Sequence, residues 1–234
     1  MNRRPGIHST VLLTRSGGRA EVNPYRDGHK EFGTEIVPAE DAPGFRGRWH
    51  TTFGRQAPLH VELGTGTGTW LATSALAHPD CNWIGVEIRF KRCVQAATRL
   101  RQNGSTNGRV VRYSWFVLDE LFEPGELDGL YLHHPDPWPD RKDKKNRLIE
   151  PGFCAAITRW LKPGAEFRLK TDFAPHAEAL LAGIAGLPLE VVGATPDLAR
   201  DGAPWPEDVV TAYQAAFQGK GVPVHAVRLR RSAG

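Results

Sequence analysis

From Leu59 onward, short apolar runs typical of strands alternate with longer segments typical of helices. Such alternation predicts βαβ units, which place their strands side by side in a parallel sheet. Right-handed crossovers then give a doubly wound α/β sheet, here of seven mostly parallel strands. The predicted strands are 59–63, 83–88, 110–116, 129–132, 167–170, 189–192 and 222–230, and the predicted helices are 70–77, 90–102, 147–161 and 174–185.

The domain organisation predicted from this pattern is one folded domain preceded by an arm. Residues 1–57 lack strong periodicity and carry many Gly, Pro and Arg residues, which is typical of an N-terminal arm or cap. Residues 58–234 contain all the alternating segments and form the predicted domain. In doubly wound sheets, ligands bind beyond the carboxyl ends of the strands, so the loops after the first, second and fourth strands are the candidate site.

Composition excludes several classes of protein. Of the 234 residues, 40% are hydrophobic and 24% are charged, which is ordinary for a globular protein and unlike a disordered or fibrous one. No segment approaches the roughly 20 apolar residues of a membrane span, and the apolar run 11–13 is too short for a signal peptide, so we predict a cytoplasmic protein without membrane contact. The three cysteines are widely spaced, which favours neither a disulfide framework nor a metal site.

The net charge of +4 is small, but the charges are grouped. Residues 89–112 contain seven basic side chains and no acidic one, and residues 141–147 contain five basic side chains and one acidic one. Between them, residues 119–136 have acidic side chains and no Lys or Arg. The basic groups are compatible with a nucleic-acid partner and equally with a solvated surface.

A glycine-rich loop follows the first predicted strand, with glycines at Gly64, Gly66 and Gly68 after Glu62. Glycines allow a tight turn and a close approach of the backbone to a ligand. Glu87 ends the second predicted strand, where an acceptor-only carboxylate can bind both hydroxyls of a ribose. The pattern predicts an adenosine-containing ligand and, by itself, does not separate S-adenosylmethionine (SAM) from NAD.

The loop after the fourth predicted strand places Asp136 between Pro135 and Pro137, which restrict its backbone. Trp138 offers a flat face on which a base can stack, and the basic run 141–147 can bind phosphates. An acid held by prolines, an aromatic ring and a cationic segment together suit a nucleobase substrate.

This loop resembles the PDPWP signature of the tRNA (guanine-N7)-methyltransferases. The resemblance extends over about 59–230 and includes VELGTGTG, WIGVEI, LKPGAEFRLKTDF and TAYQAAF. It implies a Rossmann-like class I methyltransferase sheet, SAM as cofactor, tRNA as substrate and methyl transfer to guanine N7. Guanine N7 carries a free lone pair and needs no deprotonation, so catalysis can rest on alignment and on carboxylates that favour the cationic product.

The resemblance also implies roles for individual residues. Asp136 is the catalytic candidate at the reaction centre. The cofactor-binding candidates are Glu62, Gly64, Gly66 and Glu87, and the substrate-binding candidates are His134, Trp138, Asp140, Asp172, Thr211, Tyr213 and Gln214. No metal site is predicted, and the chain is expected to be a monomer or a homodimer.

Four departures from the family pattern lie outside these cofactor-binding candidates. Asp140 stands where the family usually has lysine, Gln214 where it has glutamate, His133 and His134 where it has aromatic or apolar residues, and Trp115 near the place of an Asp or Asn. They leave two alternatives open: a diverged N-methyltransferase acting on a purine-like heterocycle, for which a histidine could serve as base, and a non-catalytic RNA- or SAM-binding protein.

Overall fold

The structure is a computed structural model that describes residues 24–137 and 148–233. Trp138, Asp140 and the basic run 141–147 lie outside the described residues. The chain divides into two compact units, with the boundary after Glu123. Each unit contributes four of the strands.

The N-terminal unit contains parallel strands in the order β1-β4-β3-β2. Their pairing brings the fully buried Val61, Ile84 and Val110 into the core of the unit. The strands are β1 (Ile36–Val37), β2 (Leu59–Leu63), β3 (Asn82–Glu87) and β4 (Gly108–Arg112). The helices are α1 (Pro24–Glu31), α2 (His50–Phe53), α3 (Thr69–Ala77) and α4 (Phe90–Gln102), with 3-10 turns at Ala42–Phe45 and Trp115–Glu120.

Helix α4 follows from its sequence. Cys93, Ala96, Ala97 and Leu100 recur at helical spacing, and all four are buried. The predicted bounds of this helix, 90–102, are confirmed. Small side chains dominate the stripe, which allows a close approach of the neighbouring elements.

Residues 24–57, within the predicted arm, pack into the N-terminal unit. Strand β1 pairs in parallel with β4 and adds a strand that the hydrophobic pattern did not predict. Trp49 is buried and donates from Nε1 to the carbonyl oxygen of Leu121 at 2.8 Å. Arg101 on α4 forms an ion pair with Glu35 at 2.7 Å. These contacts attach this part of the chain to the unit that carries the glycine loop.

The C-terminal unit contains strands in the order β5-β6-β8-β7. Strands β5 and β6 are parallel, and β8 is antiparallel to both β6 and β7. The strands are β5 (Leu127–His133), β6 (Leu161–Thr171), β7 (Leu189–Thr195) and β8 (His225–Arg231), and the helices are α5 (Pro151–Trp160), α6 (Ala174–Gly183), α7 (Leu198–Asp201) and α8 (Ala212–Gln218).

The antiparallel strands carry a partly buried charge network centred on Glu166 of β6. Its carboxylate accepts hydrogen bonds from Arg228 at 2.6 Å, Arg230 at 3.0 Å and Arg168 at 3.0 Å. Burial alone would raise the pKa of Glu166, but the three guanidinium groups outweigh burial and lower the pKa to about 2. The carboxylate therefore joins β6 and β8 as an ionised group.

The predicted fold class, a mostly parallel α/β fold, is confirmed with eight strands instead of seven. Several strands and helices begin or end at other residues than predicted. Strand β4 ends at Arg112 because Ser114 begins a 3-10 turn, and helix α5 begins at Pro151, a favoured first helical residue. Strand β6 begins at Leu161, directly after that helix. Within the described residues, no helix has the length and apolar character needed to cross a membrane.

Candidate functional site

The glycine loop of the N-terminal unit connects β2 to α3 in three left-handed steps. Gly64, Gly66 and Gly68 have φ angles of 69°, 56° and 75°, which residues other than glycine rarely adopt. The loop is tied to the end of β3, since the amides of Gly64 and Thr65 donate to the carbonyl oxygen of Val86 at 2.8 and 3.2 Å. The predicted tight turn is therefore present at the carboxyl end of β2.

Gly68 also permits a close packing contact. A Cβ atom at this position would lie 2.5 Å from Cα and from Cβ of Ala96 on α4. Such a distance is too short for two carbon atoms, so any other residue would force α3 and α4 apart. The last glycine of the loop thus serves helix packing, whereas a Cβ at Gly66 would lie 3.8 Å from the nearest atom, the Gly64 carbonyl oxygen.

The carboxylate of Glu87 is held in place by three backbone amides. Gly66 donates to Oε2 at 3.1 Å, and Ile88 and Arg89 donate to Oε1 at 2.8 and 2.9 Å. A carboxylate has about four lone-pair positions, so it retains capacity to accept from a ligand. Glu87 is partly exposed at the end of β3, and the position that is left, on Oε2, can accept a hydrogen bond from a ribose hydroxyl.

Glu62 differs from Glu87 in its surroundings. It is 3% exposed, and its Oε2 accepts a hydrogen bond from the hydroxyl of Thr65 at 2.6 Å. Its carboxylate is thus oriented against the glycine loop from within the unit. A direct contact between Glu62 and the cofactor stays a prediction.

Trp115, in the segment after β4, packs against the glycine loop. A Cβ at Gly64 would lie 3.4 Å from the six-membered ring of Trp115, so the indole packs directly on the loop backbone. The hydroxyl of Ser114 orients this segment by accepting from the amide of Phe116 at 3.3 Å. The indole Nε1 is buried, with no hydrogen-bond partner among residues 24–137 and 148–233. Trp115 therefore places an apolar ring beside the predicted cofactor site.

In the C-terminal unit, the candidate substrate residues lie on segments that follow β5 and β6 and on helix α8. Pro135 is buried, whereas Asp136 is exposed directly after it. His134 adopts a left-handed conformation with φ of 47°, and its amide donates to the carbonyl oxygen of Lys170 at 2.8 Å. This strained residue turns the chain away from the sheet just before the acid.

Two of the predicted substrate-binding residues, His134 and Asp172, lie next to each other in the structure. Nδ1 of His134 lies 3.0 Å from Oδ1 of Asp172, and the histidine side chain is 3% exposed. Burial lowers the pKa of His134, and the hydrogen bond to Asp172, which acts in the opposite direction, does not offset it. Burial and the charge of Lys170 lower the pKa of His133 still further below its ordinary value. These shifts favour the neutral form of both histidines.

Helix α8 covers His134 with aromatic rings. The ring centroids of Phe217 and Tyr213 lie 5.4 and 5.9 Å from that of His134. Tyr213 is 59% exposed, so its outer face is available to a ligand. Thr211 is buried and begins the helix, where its hydroxyl accepts from the amide of Gln214 at 2.9 Å. The hydroxyl of Thr211 thus has a capping role in addition to its predicted substrate role.

The third feature of this unit is a buried lysine on β6. Nζ of Lys170 lies 2.6 Å from Oδ1 of Asp208 and donates to Oε1 of Gln214 at 2.7 Å and to the carbonyl oxygen of Val209 at 2.9 Å. Burial raises the pKa of Asp208, but the hydrogen bond and charge of Lys170 outweigh it, so the pKa lies below its ordinary value. The carboxylate and the ammonium form an ionised pair.

Comparison with known proteins assigns this arrangement to a family. A family described as "Putative methyltransferase" matches residues 56–227. A tRNA (guanine-N(7)-)-methyltransferase of Levilactobacillus brevis is 33% identical over 89% of this chain and 96% of its own length. The corresponding proteins of Bacillus licheniformis and Cutibacterium acnes are 30% and 36% identical over 89% and 81% of this chain, and over 97% and 69% of their own lengths.

The chain belongs to the tRNA (guanine-N7)-methyltransferase family. The predicted resemblance is thereby confirmed, and with it the assignment as a SAM-dependent methyltransferase. Solved structures agree in fold: the 16S rRNA methyltransferase KamB superposes with a TM-score of 0.57 at 13% identity, over 80% of this chain and 94% of that one. The antibiotic-resistance methyltransferase Kmr gives 0.53 at 20% identity, over 76% and 89%.

For this member of the tRNA (guanine-N7)-methyltransferase family, the sequence did not single out Lys170, Asp208 or Phe217. Lys170 gave no local signal, because residues 167–171 (Phe-Arg-Leu-Lys-Thr) alternate apolar and polar side chains, as a strand with one solvated face does. Its partners are distant in sequence, so the pairing could not be read from local spacing. Of the predicted site residues, Trp138 and Asp140 lie outside the described part of the chain.

Proposed function

We propose that this protein transfers a methyl group from SAM to N7 of a guanine in tRNA. The observation that carries the proposal is the identity of 30–36% to proteins named tRNA (guanine-N(7)-)-methyltransferase over 81–89% of the chain. Likeness over this length includes both the unit with the glycine loop and the unit with Asp136. The substrate of this chain is therefore inferred from its family and supported by local geometry.

The N-terminal unit has the groups that would hold SAM, which supplies an electrophilic methyl group on its sulfonium. Glu87, oriented by three backbone amides, would accept a hydrogen bond from a ribose hydroxyl at its remaining position. Gly64 and Gly66 would let the backbone approach the cofactor closely. The indole ring of Trp115, which packs on Gly64, would lie beside the adenine ring.

The C-terminal unit supports chemistry that needs no general base. Guanine N7 would donate its lone pair to the methyl carbon of SAM while the carbon–sulfur bond breaks and its electrons pass to sulfur, and the purine would become cationic. Asp136 would favour that charge electrostatically, and the flanking prolines limit its reorganisation. The lowered pKa values of His133 and His134 favour the neutral form of both rings, which does not repel the cationic base. The remaining rate enhancement would come from alignment of the two reactants.

The test is methylation of unmodified tRNA with purified protein and SAM, with nucleoside mass spectrometry to detect 7-methylguanosine. Substitution Asp136→Asn should lower kcat/KM by at least about 100-fold, since it removes a charge that acts in the transition state. Asp80→Asn is the matched control, because Asp80 is an exposed acid in a turn of the N-terminal unit. Absence of 7-methylguanosine across a complete tRNA pool would refute the proposal.

The same assay separates the alternatives. Methylation of a free purine-like heterocycle, with no tRNA product, would favour a small-molecule N-methyltransferase, for which the buried His134–Asp172 pair would be the candidate base. Tight binding of SAM or RNA without turnover would favour a non-catalytic protein. Steep loss of tRNA affinity with salt would support contact with phosphates. We further infer that the protein acts in the cytoplasm. We expect it to be a monomer or a homodimer, and light scattering would distinguish these two states by their mass.

A further inference from the structure

The buried contacts of Lys170 connect three segments of the C-terminal unit. Its backbone carbonyl accepts from the amide of His134 at 2.8 Å, at the end of β5. Its ammonium reaches the loop before α8 through Asp208 and Val209, and reaches α8 itself through Gln214. Lys170 is thereby bonded to the segment that leads to Asp136, the predicted catalytic acid, and to helix α8, which covers His134.

The hydrogen-bonding capacity of this network is closely matched. An ammonium has three N–H donors, and Lys170 places acceptors of Asp208, Gln214 and Val209 around it at 2.6–2.9 Å. Asp208 is held in turn by Nε1 of Trp205 at 2.8 Å and, at 3.4 Å, by the amide nitrogen of Gln214. Because Lys170 is fully buried, removal of its counter-charge would leave an uncompensated ammonium in the interior.

Backbone strain occurs at both ends of the same network. In the described part of the chain, the non-glycine residues with positive φ are His134, at 47°, and Glu207, at 54°. The amide of His134 is bonded to Lys170, and Glu207 immediately precedes Asp208. Strained conformations persist where surrounding contacts fix them, and they concentrate at functional sites. Lys170 thus contacts one strained residue, His134, directly, and contacts Asp208, the neighbour of the other.

We propose that the Lys170–Asp208–Gln214 network is a positioning device that holds α8, and with it the exposed ring of Tyr213, in place for the substrate. The part of the proposal that concerns the substrate rests on the proposed function, whereas the part that concerns the position of α8 does not. Gln214 is a predicted substrate-binding residue, but it is 3% exposed and bonded to Lys170, so the proposal gives it a positioning role and no contact with the substrate. The counter-charge is the part of the device that can be moved: a carboxylate at either 208 or 214 would balance the ammonium.

The experiment compares the full-length protein with D208N and with the charge-relocated double variant D208N/Q214E. Glutamate at 214 keeps the favoured third residue of a capping box begun by Thr211, so α8 can form in the double variant. Hydrogen–deuterium exchange over residues 208–221 and kcat/KM for tRNA are measured for each. D128N is the control, because Asp128 forms a more exposed ion pair with Lys162 in the same unit.

D208N should exchange at least tenfold faster over residues 208–221 and lose at least tenfold in kcat/KM. D208N/Q214E should return to within about threefold of the original protein in both, and D128N should change neither. Original protection of α8 in D208N, or no recovery in the double variant, would overturn the proposal. If the exchange pattern holds while the original protein methylates no tRNA, the hold on α8 stands and the proposed function fails.

Discussion

Replacement of Gly68 by alanine tests how the glycine loop is fixed. The added Cβ would lie 2.5 Å from Cα of Ala96, and no side-chain rotation relieves a contact with backbone. The residue would also have to keep a φ of 75°, which costs a non-glycine residue about 1–2 kcal/mol. Overpacking adds about 1–3 kcal/mol. Gly68→Ala should therefore lower the free energy of unfolding by about 2–5 kcal/mol.

Gly104→Ala separates the two contributions. Gly104 has the same φ of 75°, but a Cβ there would meet nothing within 4 Å. Its substitution should cost only the conformational part, about 1–2 kcal/mol. Urea unfolding followed by circular dichroism gives both values, and their difference reports the clash with Ala96. Titration calorimetry should also show at least tenfold weaker binding of S-adenosylhomocysteine to Gly68→Ala. Equal stability of the two variants would refute the packing role of Gly68.

Three further outcomes follow from other contacts. Glu87→Gln should weaken S-adenosylhomocysteine binding about 10- to 100-fold in calorimetry, because it replaces charged acceptors; unchanged affinity would refute the ribose role. The pKa of Glu166 is lowered from 4.5 to about 2, so the ionised carboxylate stabilises the fold above pH 4.5, and this stabilisation is lost as the pH falls towards 2. In urea unfolding, Glu166→Gln should therefore be less stable than the original protein above pH 4.5, and the difference should shrink as the pH falls towards 2. Asn107→Ala should destabilise by about 1–3 kcal/mol, since it removes a side-chain NH2 whose two N–H groups serve three carbonyl oxygens within 3.0 Å; a loss below about 0.5 kcal/mol by the same method would contradict this.

What the sequence predicted well is local in the chain. The stripe on α4 follows from helical spacing, and the glycine loop from residues within one turn. Glu87 is a longer-range case, but parallel neighbouring strands align their carboxyl ends, so its contact with Gly66 follows from topology. These features depend on patterns that are repeated across α/β proteins.

What the sequence did not predict depends on tertiary packing. Strand β1 has two residues, too few for any period to be visible, and forms only because β4 offers an edge. Lys170 is separated from Gln214 by 44 residues, and no spacing rule relates a strand residue to a helix so distant. The burial that makes this pair important is itself a property of the assembled unit.

The network also gives a physical reason for one departure from the family pattern. Asp208 already lies 2.6 Å from the ammonium of Lys170, so a second carboxylate at 214 would place two negative charges on one positive charge in a buried site. The amide of Gln214 avoids that repulsion, since its oxygen accepts from Lys170 while its nitrogen donates to Asp208. A glutamate could accept in the same place but could not donate. Glutamine at 214 is thus matched to aspartate at 208, and the loss of the family's glutamate leaves the charge of this buried site balanced.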